Sequence, residues 1–343
     1  MTAAKKIAIL GASGYTGAEL IRLIATHPAM EIVALTADRK AGQEVAAVFA
    51  HLRHLDLPTL CRIEDVDFSA VDLAFCAMPH GVTHGLAKTL PETVKLVDLS
   101  ADFRLRDGAA YRHWYGRPHS AMDIQPTVAF GLPEHYRAEI AGARITANTG
   151  CYVATSLLAL IPPLKAGVLA PDPIVIDAKS GASGAGRGLQ EGMLFAEVNE
   201  GFSAYGVAHH RHMGELDQEL SLAAGQPVVA SFTPHLVPMN RGMMATIYAR
   251  AEADAVHRAL LEAYRDEPFV QVLALGETPA TRHVRGSNQC HIGVVADRQD
   301  GRVILVSVLD NLVKGASGQA VQIANIMLGL DETSGLMLAP VFP

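Results

Sequence analysis

The 343-residue sequence is poor in cysteine, in aromatic residues and in long apolar runs, and its positive charges are fewer than its negative ones. Cys61, Cys76, Cys151 and Cys290 stand far apart with no C-x-x-C pair, which excludes a zinc knuckle and argues for reduced thiols over a disulfide frame. No apolar stretch exceeds six residues, as in 73–78, so a membrane-spanning helix is excluded. With 28 Lys and Arg against 35 Asp and Glu the net charge is −7, and no basic cluster exists to trade against a phosphate backbone. Nucleic acid and membrane are therefore not expected partners. Lys5 and Lys6 precede only four apolar residues before Gly11, too few for a secretory leader, so a cytoplasmic location is expected.

Against these absences stand a 50% apolar content and 30 glycines. At roughly 150 residues per domain the length implies about two domains, each able to bury its own core. The first half alternates. Residues 7–10 read as a strand, 18–26 as a helix ending before Pro28, and 31–35 as a second strand, which together make a βαβ unit. Further strand-like runs at 73–78, 95–99 and 144–147 suit a parallel sheet covered on both faces. After Gly150 a helix is expected over 151–161, closed by Pro162 and Pro163. Strands then follow at 174–178, 228–233, 243–250, 291–296 and 303–309, with helical inserts at 215–223 and 253–265. This pattern predicts an α/β chain, with a doubly wound parallel sheet followed by an α+β domain. A last helix over 318–328 is placed to return to the first domain.

Three motifs carry chemistry. Gly11-Ala12-Ser13-Gly14-Tyr15-Thr16-Gly17 joins the first strand to the first helix, where glycines permit a tight turn and let phosphate approach the helix N-terminus. The spacing is G-x-x-G-x-x-G, not G-x-G-x-x-G, so its βαβ context carries much of the reading. Beyond the second strand, Thr36 offers a hydroxyl and Arg39 and Lys40 two cations, which favours NADP(H). Asp38-Arg39-Lys40 fits a solvated turn equally well.

Asn148-Thr149-Gly150 precedes Cys151 and an apolar helix, so Cys151 is expected in a first helical turn, where the dipole and backbone N–H groups favour a thiolate. Cys76 and Cys290 read as small buried hydrophobes. His209, His210 and His212 cluster ahead of Glu215, at the start of another helix. Glu215 is expected to orient an imidazole there for acid–base work. A metal site at His210 and His212 lacks a third ligand, and none is expected. The segment Lys179 to Gly188 is rich in small residues and ends in Arg187-Gly188. It fits an anion cradle or a flexible loop.

These motifs, with Asp98-Leu99-Ser100-Ala101-Asp102-Phe103-Arg104, Pro234 to Gly242 and Gly315-Ala316-Ser317-Gly318-Gln319-Ala320, occur in an order that resembles the N-acetyl-gamma-glutamyl-phosphate reductase family over essentially the whole chain. The resemblance implies NADPH-dependent reductive dephosphorylation of an acyl phosphate in arginine biosynthesis. It also implies a second domain of the semialdehyde dehydrogenase and glyceraldehyde-3-phosphate dehydrogenase type. Cys151 matches the nucleophile, and His212 the acid–base residue with Glu215 beside it, while His-x-His leaves His210 as an alternative. Cofactor contacts are implied for Gly11, Ser13, Gly14, Tyr15, Thr16, Gly17, Thr36, Arg39, Ser183, Gly184 and Asn311, and substrate contacts for Arg104, Asn148, Ser180 and Arg187. The nucleotide domain is expected to take 1–150 and 314–343, and the catalytic and dimerisation domain 151–313, in a homodimer or homotetramer. Two rivals are the same chemistry on a carrier-linked aminoadipyl phosphate of lysine biosynthesis, and a non-catalytic NADPH-binding sensor.

Overall fold

A computed structural model describes residues 3–342, which divide into two compact units. The first takes in the chain up to Gly108, Pro118–Thr149 and Ala316–Met337. Its strands are β1 (Lys5–Leu10), β2 (Met30–Leu35), β3 (Leu73–Cys76), β4 (Lys95–Asp98), β5 (Ala129–Gly131) and β6 (Ile145–Asn148). All pair in parallel, in the order β2-β1-β3-β4-β6-β5. Helices α1 (Tyr15–Ile24), α2 (Thr83–Thr89) and α3 (Pro133–Gly142) connect strands, and the C-terminal helix Gly318–Met327 packs on α1 and α3. Such burial on both faces explains why β1 and β3 read as unbroken apolar runs. The strand order reverses between β1 and β3, so the carboxyl ends of these strands form the crevice where doubly wound sheets take ligands. β5 had no counterpart in the sequence pattern, because three residues are too few to show a period.

The second unit comprises Ala109–Arg117, Gly150–Gly315 and the tail from Leu338. Its strands are β7 (Val175–Gly181), β8 (Ser203–Ala204), β9 (Ser231–Val237), β10 (Met243–Arg250), β11 (Val270–Val272), β12 (Cys290–Ala296) and β13 (Arg302–Leu309). They form one mixed sheet, β11-β12-β13-β10-β7-β9-β8. The apolar helix α4 (Cys151–Lys165) packs on β10, β13, α5 (His212–Ala224) and α6 (Ala253–Ala263). No helix among the described residues is long and apolar enough to cross a membrane.

Four expectations need correction. Pro162 and Pro163 do not close α4, which runs through both to Lys165. Proline at 162 removes the N–H that would bond the Leu158 carbonyl, and the Tyr264 hydroxyl donates there instead at 2.6 Å. The strand expected over 228–233 begins only at Ser231, because the Val228 and Ala230 amides donate to Ser221 Oγ and Asp217 Oδ1 of α5. β7 reaches Gly181, so the first part of the small-residue segment is sheet, not loop, held by pairing to β9 and β10. The tail from Leu338 lies in the second unit, where the Val341 N–H donates to the Arg285 carbonyl at 2.8 Å.

Candidate active site

In the first unit, the turn after β1 is shaped by close backbone approach. Gly11 has φ +86°, and a Cβ there would lie 2.6 Å from the Ala77 carbonyl oxygen of the segment after β3. A Cβ on Gly17 would come within 2.5 Å of the Ala12 carbonyl oxygen. Gly14 differs. It caps α1 in an extended conformation, and a Cβ there would meet nothing nearer than 3.8 Å, so space remains ahead of the helix start. Ser13, Thr16 and the more exposed Tyr15 border it.

Thr36 is not placed as expected. It is buried, and its hydroxyl accepts the Gly11 N–H at 3.1 Å while its carbonyl accepts the Ala12 N–H at 2.8 Å. It shapes the turn rather than facing outward. Asp38, Arg39 and Lys40 are exposed. The cradle and the two cations fit a phosphorylated dinucleotide.

Two residues implied for substrate are committed within the first unit. Asn148 Nδ2 donates to the Ala316 carbonyl at 3.0 Å and its Oδ1 accepts from Gln319, tying β6 to the C-terminal helix. Arg104 is buried and donates to the Leu99 carbonyl at 3.0 Å. The carboxylates of the same stretch are also enclosed. Burial raises Asp98 to about 6, against its bonds from Ser100. Asp102 feels the same burial, but the His80 imidazole and the Gly81 N–H outweigh it and hold this carboxyl down to about 2.

In the second unit, Cys151 is half-buried and opens α4, with Gly150 as extended N-cap. This apposes the thiol to the positive end of a 15-residue helix. His212 opens α5, and its ring lies so close to Gly150 that a Cβ there would come within 2.7 Å of Cε1. Only glycine lets the imidazole come this close to the residue before Cys151. Glu215, fully buried, accepts the Gly150 N–H at 3.2 Å. This bond joins the starts of α4 and α5.

His210 separates from His212 in kind. Its Nδ1 accepts the His212 backbone N–H at 3.2 Å, a cap on α5, and its ring packs edge-on to Tyr152, Tyr205 and Phe232. Burial, with Arg211 and His209 nearby, lowers its pKa to about 4, so it stays neutral and keeps the lone pair the cap requires. The Tyr205 hydroxyl donates to Tyr152 Oη at 3.0 Å, and Tyr152 donates to the His235 carbonyl. Burial raises Tyr205 to about 12 and raises Tyr152 also, so both remain phenols.

The remaining predicted residues gather around the turn after β13. Asn311 accepts the Gly242 N–H at 2.8 Å and donates to Ser183 Oγ at 2.9 Å. It thus joins the loop after β7 to that after β9. A Cβ on Gly184 would fall 3.2 Å from the buried Ser180 Oγ. Arg187 is exposed further along. Two residues given no role from sequence stand close by. A Cβ on Gly315 would lie 2.8 Å from Cys151 Cβ. Fully buried Asp310 accepts the Leu312, Val313 and Gly286 amides and faces Arg241 Nη1 at 3.6 Å, aiming a partly exposed guanidinium. The bonds from Leu312 and Val313 to Asp310 are local, whereas those linking Asp310 to Gly286 and Arg241, and the approach of Gly315 to Cys151, join residues far apart in the chain.

A glycine turn on a doubly wound sheet, and a thiol and imidazole on adjoining helix starts beside a mixed sheet, define a semialdehyde-dehydrogenase-type oxidoreductase. Residues 6–143 match the semialdehyde dehydrogenase NAD binding domain and residues 151–311 the semialdehyde dehydrogenase dimerisation domain. The chain is 59% identical over 339 residues to the N-acetyl-gamma-glutamyl-phosphate reductases of Ruegeria pomeroyi and Paracoccus denitrificans, covering 98% of this chain and 99% of each relative. The chain belongs to the N-acetyl-gamma-glutamyl-phosphate reductase family. In fold it is similar to aspartate semialdehyde dehydrogenase II from Vibrio cholerae (TM-score 0.73, 16% identity, 96% of this chain and 99% of that one). It is also similar to the Candida albicans aspartate semialdehyde dehydrogenase solved with NADP (TM-score 0.68, 19% identity, 95% and 99%).

Proposed function

We propose that this chain reduces N-acetyl-gamma-glutamyl phosphate to the semialdehyde with NADPH, releasing inorganic phosphate, as a step of arginine biosynthesis. The observation that carries this reading is the joined pair of helix starts, Cys151 on α4 and His212 on α5, meeting at Gly150. The Cys151 sulfur attacks the acyl carbonyl, a carbon–sulfur bond forms, and the carbon–oxygen bond to phosphate breaks. A thioester results, which cannot ionise as a carboxylate does and so stays electrophilic. When bound, the cofactor would supply the hydride that takes the acyl group to the aldehyde level, with the Cys151 sulfur leaving as thiolate. His212 takes the thiol proton and later holds a proton for the oxyanion, and the positive end of α4 steadies negative charge there.

Gly11, Ser13, Gly14, Tyr15, Thr16 and Gly17 would hold the dinucleotide pyrophosphate, with Thr36 shaping that turn and Arg39 meeting the 2′-phosphate. On the second unit, Ser183, Gly184 and Asn311 are the cofactor-contact candidates that the family resemblance implies. Ser180, Arg187 and Arg241 are the anion-reading candidates for substrate, and Asn148 and Arg104 act as braces. The first unit is assigned to the nucleotide and the second to catalysis and self-association. Exposed Leu189, Phe195, Phe202 and Val207 on that second unit support a homo-oligomer. Four cysteines without disulfides suit the cytoplasm.

Purified protein incubated with N-acetylglutamate semialdehyde, phosphate and NADP⁺ should generate reduced-cofactor absorbance, more slowly with NAD⁺, and Cys151→Ser should abolish it. A silent wild type, or an active Cys151→Ser, refutes the mechanism.

A further inference from the structure

The chain leaves the nucleotide unit after Gly108 and returns at Pro118, and the excursion between them belongs to the catalytic unit. Most of it is the helix Gly108–Tyr115. Tyr111, Trp114 and Tyr115 fall at i, i+3 and i+4 and so share one face. Tyr111 is fully buried, and its ring centroid lies 4.8 Å from that of Tyr115. The indole of Trp114, the chain's only tryptophan, lies directly over Gly214. A Cβ on Gly214 would come within 2.5 Å of the indole Cδ1 and 2.7 Å of Nε1. The Arg211 guanidinium stands over the Tyr115 ring at 5.8 Å. Residues 211 and 214, one before and two after His212, are thus both held by the aromatic face.

Glycine within a helix costs about 1 kcal/mol against alanine. Its place at 214, in the first turn of α5, is explained by the indole, for which only a bare Cα leaves room. That turn carries two groups that meet at Gly150, the His212 ring and the Glu215 carboxylate.

We propose that Trp114 is a positioning residue that clamps the first turn of α5 and so sets the His212 imidazole against the Gly150–Cys151 step. The proposal rests on the acid–base role assigned to His212 above. Acid–base transfer is sensitive to displacements well below an ångström, so loosening the clamp acts on turnover more than on substrate binding. Trp114 itself reaches the chemistry only through Gly214 and the helix turn. The charged or titratable groups beside the clamp include His113, whose ring centroid is 5.0 Å from that of Trp114, Arg211, Tyr111 and Tyr115.

The test combines steady-state kinetics with the pH profile of Cys151 alkylation by iodoacetamide, read on the Cys151 peptide by mass spectrometry. Trp114→Ala should lower kcat about tenfold, leave KM within about twofold, and move the alkylation profile to higher pH. Trp114→Phe, which keeps an aromatic ring over Gly214, should retain most of the rate. Gly214→Ala should reproduce the Trp114→Ala defect although alanine is the better helix former, and adding Trp114→Leu should restore activity by making room. Wild-type kcat and an unshifted profile in Trp114→Ala would overturn the clamp, as would a fully active Gly214→Ala. Should Trp114→Ala not fold, the Gly214→Ala pair decides alone. Failure of the underlying reading looks different: His212→Ala would itself leave the alkylation profile unmoved.

Discussion

Gly150 and Gly315 show how single residues set the packing around Cys151. A side chain at 150 would occupy the space of the His212 ring, and one at 315 would press on the Cys151 Cβ. Gly315→Ala should therefore lower kcat at least tenfold while the fold persists, measured as turnover beside an unchanged circular dichroism spectrum; an active variant would refute the crowding. At Gly11 the positive φ and the nearby Ala77 carbonyl act together. Gly11→Ala is expected to weaken NADPH binding about tenfold or more in a fluorescence titration, because the turn must shift to admit the methyl group. Of the residues picked from sequence, Cys151 at a helix start was legible from its flanking glycine and the apolar run behind it. The bond from Gly150 to Glu215 was not legible, since it joins a side chain to a backbone amide 65 positions away.

At the scale of elements, α4 shows where local rules were overridden. Two prolines predict a helix end, yet α4 continues, because Tyr264 from beyond α6 supplies the missing donor to Leu158. Removing only that hydroxyl, as Tyr264→Phe, leaves a buried carbonyl without its donor and should cost about 1–3 kcal/mol. A denaturant midpoint equal to that of the wild type would contradict this account. The alternation of β1, α1 and β2 was readable because β1 is apolar and buried from Ile7 to Leu10 and α1 buries one face through Leu20, Ile21, Leu23 and Ile24. The start of β9 was not readable, since Val228 and Ala230 have strand-like side chains but amides taken by α5.

For the whole molecule, buried titratable groups set how stability varies with pH. Burial lowers the pKa of His27, His119, His210 and His291 below the ordinary imidazole value. Each binds protons more readily in the unfolded chain, so its contribution is present above about pH 6.5 and is lost as pH falls. Asp98 opposes them. Its pKa is raised to about 6, so the folded state takes up that proton first and gains stability as pH falls through 6 toward the unfolded carboxyl value near 4. The thermal midpoint should therefore drop between pH 7.5 and 5.5, and drop further in Asp98→Asn, where the opposing contribution is gone. Calorimetry showing a shallower fall in the variant would reverse this assignment.

Sequence alone determined the parallel sheet, the glycine turn and the helix start at Cys151, because periodicity, glycine spacing and capping act over a few neighbouring residues, and the order of its motifs carried the resemblance to a reductase family. Tertiary structure alone decided that Glu215 holds Gly150, that Asp310 aims Arg241 and that Trp114 lies on Gly214. These pairings depend on which surfaces of the second unit meet once it folds, and hydrogen bonds or steric fits between distant segments leave no periodic trace in the chain.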